Sequence, residues 1–141
     1  MRITQHHRAG HTIRVRTAKL AEAIVDEQYR RRPDLVARYG PAGREKCVQD
    51  TKYHLRFLSA SVEFGQPRVF ADYCDWAVGV MEAHRVDARD AVENLRLFGP
   101  VLAEHVPPDA AALAGEHLDA AIARLTSRPG ASTGESAPSR F

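Results

Sequence analysis

Apolar residues recur at intervals of three and four along most of the chain, which is the spacing of one face of an α-helix. Proline and glycine divide this pattern into segments, because both residues interrupt helices. We predict helices over residues 17–31, 33–38, 42–64 and 67–83, a helix capped by Asp87 that kinks at Gly99-Pro100, and a last helix over residues 107–125. No alternating pattern long enough for a strand occurs. The sequence therefore predicts an all-α protein with five or six helices.

The two ends of the chain lack this pattern. Residues 1–16 carry four arginines and three histidines but few apolar residues, which predicts a flexible basic arm. Residues 126–141 are rich in serine, proline and glycine, a composition that buries too little apolar surface to fold and predicts a disordered tail. We therefore expect one domain over residues 17–125.

The composition of the chain limits the classes of protein to which it can belong. The 141 residues are 44% hydrophobic, as expected for one globular domain. The net charge of +2 comes from interspersed acidic and basic residues, so we do not expect nucleic acid as a partner. Neither an apolar run of about 18 residues nor a signal peptide occurs, so we predict no membrane contact and a cytoplasmic location. The two cysteines, Cys47 and Cys74, are expected to be free thiols, with Cys74 buried.

The helix predicted over residues 42–64 carries two neighbouring stripes. The first, a normal core face, consists of Val48, Leu55, Leu58 and Val62. The second, which combines a thiol, a carboxylate, an imidazole and an aromatic ring, consists of Cys47, Asp50, His54, Phe57 and Ser61.

A carboxylate beside a core face needs a hydrogen-bond donor or a cation, because an unpaired buried charge is costly. Two interpretations of the second stripe follow. In one, the stripe borders a ligand site. In the other, Asp50 pairs with Lys46 or Arg56 near the surface, and Cys47 packs as a small apolar residue.

The run Lys46-Cys47-Val48-Gln49-Asp50 is followed by Tyr53-His54-Leu55-Arg56. This arrangement resembles the chromophore helix of the phycobiliproteins, the family of phycocyanin and allophycocyanin, which shows Lys-Cys-x-x-Asp, an aromatic pair, Leu and Arg. The likeness continues through Glu63-Phe64-Gly65, Asp72-Tyr73 and Pro107-Pro108-Asp109, and it covers residues 20–125. The resemblance implies a globin-like helical fold.

The resemblance also implies a cofactor, a bilin such as biliverdin or phycocyanobilin. By that likeness Cys47 carries the bilin through a thioether, or borders it without reacting, and Asp50 accepts hydrogen bonds from pyrrole N–H groups. Arg44 and Lys46 are expected to pair with the propionates and to favour the thiolate of Cys47. The residues expected along the pigment are Tyr53, His54, Phe57 and Tyr73. Packing and solvent-exposed roles remain alternatives for the basic residues and for His54, and we expect Trp76 in the core.

The sequence departs from the light-harvesting members at two points. Gln49 stands where they have a propionate-binding arginine, and their N-terminal helical hairpin and following globin helix have no predicted counterpart here. The chain is more similar to the small bilin biosynthesis-associated globins of non-photosynthetic bacteria. That likeness implies a bilin carrier, store or sensor without catalytic turnover. Bilin-synthesising enzymes are candidate partners, and a homodimer is a candidate oligomeric state.

Three other functions stay open. A bilin-converting enzyme would use Asp50 and His54 as acid and base. A haem-binding globin would use His54 as the axial ligand. A pigment-free helical interaction domain would keep only the fold.

Overall fold

A computed structural model of the protein describes residues 2–128, which form eight helices and no strand within that range. The helices are α1 (Arg2–Val15), α2 (Thr17–Arg31), α3 (Asp34–Tyr39), α4 (Gly43–Phe64), α5 (Pro67–Ala83), α6 (Ala88–Arg96), α7 (Phe98–His105) and α8 (Pro108–Thr126). The all-α class is therefore confirmed. The tail predicted over residues 126–141 lies almost wholly outside the described residues, apart from Thr126, which ends α8, and the two residues after it.

Helix α4 lies at the centre of the fold, in contact with α1, α2, α5 and α8. Its predicted core stripe is confirmed, because Val48 is 5% exposed and Leu55, Leu58 and Val62 are fully buried. The helix ends at Gly65, whose φ of +61° is left-handed and suits glycine best. This central position places the second stripe of α4 beside the core and close to α2, α5 and α6.

The prediction of a flexible arm over residues 1–16 is wrong, because α1 is a helix docked along α4. Among residues 5–15 of α1, Ala9 and Ile13, four residues apart, are buried in the core. Gly10 lets the two backbones approach closely, since a Cβ there would lie 2.6 Å from the carbonyl oxygen of Ser59. The Arg14 guanidinium also pairs with Glu63 of α4, and contacts as few as these give little sequence signal.

The number of helices also exceeds the predicted five or six. Besides α1, the structure separates α6 from α7 at Leu97 rather than at Gly99-Pro100. Pro100 instead lies in the first turn of α7, where a helix requires no N–H donor from it. The predicted cap of α6 is confirmed, because Asp87 Oδ1 accepts a 2.8 Å hydrogen bond from the Arg89 N–H.

The expectation that Trp76 lies in the core is wrong, because its side chain is 64% exposed on α5. Cys74 on the same helix is 1% exposed, so the prediction of a buried free thiol is confirmed. Within residues 2–128, no helix combines the length and the apolar character that crossing a bilayer requires.

Candidate functional site

An open cavity of about 400 Å³ lies beside the second stripe of α4. Its walls come from α2, α3, α4, α6 and the C-terminal end of α5 with the turn that follows. The lining residues are Gln28, Tyr29, Leu35, Tyr39, Ala42, Gly43, Lys46, Cys47, Asp50, Thr51, His54, Met81, His84, Val86, Asp90, Ala91 and Asn94. The volume falls within the range of roughly 300–1,000 Å³ that small-molecule sites occupy. Four of the eight predicted site residues line this cavity.

Cys47 lies in the cavity wall as a half-buried, protonated thiol. Its Sγ is 4.0 Å from Gln28 Oε1 and 3.9 Å from Asn94 Nδ2. Burial raises the pKa of the Cys47 thiol to about 11, because the low-dielectric surroundings disfavour the thiolate. The charge of Arg44 lowers this pKa, as expected, but burial has the larger effect, so the thiol stays protonated at neutral pH.

Asp50 and Lys46 form an ion pair at the rim of the cavity. Lys46 Nζ donates to Asp50 Oδ1 at 2.9 Å. The lysine side chain is 72% exposed, whereas that of Asp50 is 20% exposed. In the part of the chain that the structure describes, Lys46 is the only donor to this carboxylate, so Asp50 Oδ2 has acceptor capacity left for a ligand. The two interpretations of the sequence are thus compatible: the ion pair forms, and it borders a cavity.

His54 lines the cavity and is hydrogen-bonded to Tyr73 behind it. The His54 ring is 6% exposed, and its Nδ1 lies 2.7 Å from the Tyr73 hydroxyl. Burial lowers the pKa of His54 to about 4, so the imidazole is neutral at physiological pH. A neutral ring contributes one donor and one acceptor, and one of them is used by Tyr73.

The three predicted aromatic residues lie beyond the cavity rather than in its wall. Phe57 stacks on Tyr73 with ring centroids 4.0 Å apart and planes 9° apart, and Phe57 is 43% exposed. Tyr53 is 53% exposed and lies under the guanidinium of Arg56. Of the three, Tyr73 alone is connected to the cavity, through its hydrogen bond to His54.

Arg44 does not share the cavity with the other predicted residues. Its guanidinium pairs with Asp26 and, at 3.6 Å, with Glu22, both on α2. It lines a separate depression of about 350 Å³ together with Gln49 and Lys52. The structure therefore brings together Lys46, Cys47, Asp50 and His54, and it places Arg44 on another side of α4.

A buried amide pair that sequence analysis missed lies behind Cys47. Asn94 Nδ2 on α6 donates to Gln28 Oε1 on α2 at 2.9 Å and to Thr51 Oγ1 on α4 at 3.3 Å. Gln28 and Asn94 are 3% and 4% exposed. Each is a polar residue on an otherwise apolar helix face, which is the only local signal that pointed to them.

A second missed cluster attaches α3 to α6. Asp90, 6% exposed, accepts hydrogen bonds from the Tyr39 hydroxyl at 2.6 Å and from the guanidinium groups of Arg32 at 3.1 Å and Arg38 at 3.2 Å. These donors satisfy a carboxylate that would otherwise be unstable in the protein interior. The cluster holds the wall that α3 contributes to the cavity.

Comparison with known proteins identifies one matching family. The model of the phycobilisome protein family matches residues 3–125, which extend from α1 into the last turn of α8. Among curated proteins no match is found. The matched region contains every residue of the cavity wall. The chain therefore belongs to the phycobilisome protein family and has its globin-like, all-helical fold.

Proposed function

We propose that this protein binds an open-chain tetrapyrrole in the cavity beside α4 and serves as a bilin carrier, store or sensor. The observation that carries the proposal is the cavity itself, because it brings Cys47, Asp50 and His54 together in a member of this family. Its lining is mainly apolar, as a site for the pigment's hydrocarbon framework requires. Because the cavity is open, a long pigment extends beyond it towards solvent.

The rim residues match the polar groups of a bilin. Asp50 accepts hydrogen bonds from pyrrole N–H groups and stabilises a protonated pigment, since a carboxylate attracts a cationic ring system. Lys46, exposed beside it, pairs with a propionate. His84, an exposed residue of the cavity lining, is a second polar group available to the pigment. The bound bilin supplies absorption of visible light.

Attachment begins without a covalent bond in this proposal. A thioether forms when the thiolate adds to an unsaturated carbon of the pigment, and the neighbouring carbon takes up a proton. The thiol of Cys47 must first lose its own proton, which its raised pKa makes rare at neutral pH. Noncovalent binding therefore precedes any bond to Cys47.

The direct test is a titration of the purified protein with biliverdin and with phycocyanobilin, followed by absorption spectra and size-exclusion chromatography. We expect the pigment to co-elute with the protein and its red band to strengthen. Asp50→Asn should weaken binding roughly tenfold and shift the red band to the blue, because an amide stabilises a cationic pigment poorly. Asp72→Asn, which neutralises an exposed carboxylate on α5, is the matched control and should change neither.

Each other function gives a different result in the same titration. A Soret band after addition of haemin, without bilin binding, would favour a haem protein with His54 as ligand. A pigment that is chemically altered after incubation would favour a bilin-converting enzyme. Failure of both biliverdin and phycocyanobilin to bind would contradict the proposal and favour a pigment-free interaction domain.

A further inference from the structure

The orientation of the Asn94 side-chain amide is fixed by a chain of hydrogen bonds. Gln28 Nε2 donates to the backbone carbonyl of Asp90 at 3.1 Å, so this end of the Gln28 amide must be nitrogen. Gln28 Oε1 therefore faces Asn94 at 2.9 Å and requires a donor there. The nitrogen of Asn94 is thereby assigned, and its oxygen, Oδ1, points away from Gln28.

Asn94 Oδ1 has no hydrogen-bond partner. Among residues 5–128, whose side chains the structure describes, it is the one fully buried side-chain oxygen or nitrogen that lacks one. A buried acceptor without a donor is unfavourable, because its hydrogen bonds to water are lost on folding and no hydrogen bond within the protein replaces them. Asn94 also lines the cavity, although Oδ1 itself is covered in this structure, so a ligand bound there supplies the missing donor by displacing the atoms that cover Oδ1.

We infer that Asn94 Oδ1 accepts a hydrogen bond from an N–H group of the bound ligand, an inference that rests on the proposed bilin function. Open-chain tetrapyrroles carry such groups on their pyrrole and lactam rings. Haem carries none, because its four pyrrole nitrogens bind iron. Asn94 is thus a specificity-determining residue that favours an open-chain, N–H-bearing tetrapyrrole over haem.

Two variants separate this role from simple packing. Asn94→Leu removes the acceptor, and we expect it to bind biliverdin about tenfold more weakly than the wild-type protein. Leu95→Ala removes core packing from the same helix but leaves Asn94 and the cavity lining in place, and we expect its affinity to change by less than about threefold. Asn94→Leu should leave the affinity for haemin unchanged, so the preference for biliverdin over haemin should shrink by the same factor of about ten.

A second measurement needs no variant. Asn94 is the only asparagine in the chain, so labelling with ¹³C- and ¹⁵N-asparagine gives a single side-chain amide in an NMR spectrum. On saturation with biliverdin, we expect the ¹³Cγ signal to move downfield, as it does when an amide oxygen accepts a hydrogen bond. A ¹³Cγ signal that stays in place or moves upfield overturns the inference, even if Asn94→Leu fails to fold.

The outcomes distinguish this inference from the proposed function. If the wild-type protein binds biliverdin and Asn94→Leu binds it equally well, this inference is wrong and the proposed function stands. Equal losses in Asn94→Leu and Leu95→Ala, with no ¹³Cγ shift, assign Asn94 a structural role and also overturn it. If the wild-type protein binds no bilin, the proposed function fails and this inference fails with it.

Discussion

The reactivity of Cys47 is the property that decides whether a bilin becomes covalently attached. With a thiol pKa of about 11, about one Cys47 side chain in 10,000 is a thiolate at pH 7. A cysteine with the ordinary pKa of 9.0 would be about one-hundredth thiolate at the same pH. We therefore expect Cys47 to react with iodoacetamide about a hundredfold more slowly than an exposed cysteine at pH 7, and about tenfold faster for each pH unit up to pH 10.

The assay uses Cys74→Ala, which leaves Cys47 as the only cysteine of the chain. The protein is treated with iodoacetamide at pH values from 7 to 10, quenched, and analysed by mass spectrometry. Glutathione reacted in parallel supplies the reference rate of an exposed thiol. Urea unfolding at each pH checks that the fold persists over the range in which the rate is measured.

A different pH dependence of the alkylation rate would contradict this reasoning. A rate that levels off below pH 9 would mean that the folded cavity stabilises the thiolate. Burial would then not be the main influence on the Cys47 thiol, and covalent attachment of a bilin at neutral pH would be expected. A steep rise up to pH 10 would instead favour noncovalent binding as the main state of the pigment in the cell.

Three further predictions concern stability and binding. Burial lowers the pKa of His54 from 6.5 to about 4, so between these pH values the unfolded chain takes up a proton that the folded protein does not. The free energy of unfolding should therefore fall by roughly 3 kcal/mol as the pH drops through this window, and by less in His54→Phe. Urea titrations at pH 7 and pH 4.5 measure the difference. Lys46→Ala should weaken biliverdin binding about two- to fivefold, whereas Arg44→Ala should leave it unchanged. A larger loss of affinity in Arg44→Ala than in Lys46→Ala, measured by fluorescence titration, would contradict the placement of Lys46 at the cavity and Arg44 outside it. Gly10→Ala should lower the free energy of unfolding by roughly 1–3 kcal/mol, because its methyl group meets the Ser59 carbonyl oxygen; an unchanged urea midpoint would show that α1 is not docked there.

The features that could be predicted from the sequence are those that depend on local spacing. The core stripe of α4 follows from its helical period, and the cavity-facing stripe lies next to it for the same reason. Cys47, Asp50 and His54 therefore reach one cavity as expected. Their positions relative to each other are set within two turns of one helix, and no knowledge of the remaining fold is needed.

The features that could not be predicted depend on contacts between distant segments. Arg44 lies within the same helix, yet its direction is decided by Asp26 and Glu22 on α2, which become neighbours only after the helices pack. The Gln28–Asn94 pair joins residues 66 positions apart, so local spacing gives no sign of it. Trp76 occupies a helical position compatible with the core, but the structure leaves that face of α5 uncovered within the described residues.

The attachment of α3 through Asp90 has a consequence for how the cavity responds to change. Leu35 is the only residue of α3 that is buried, so this short helix gains little from apolar packing. It depends instead on the Asp90 carboxylate, which accepts hydrogen bonds from Arg38 and Tyr39 of α3. The central core around α4 does not share those bonds. Substitutions at these few polar positions should therefore change the width of the cavity and leave the stability of the central core largely unchanged.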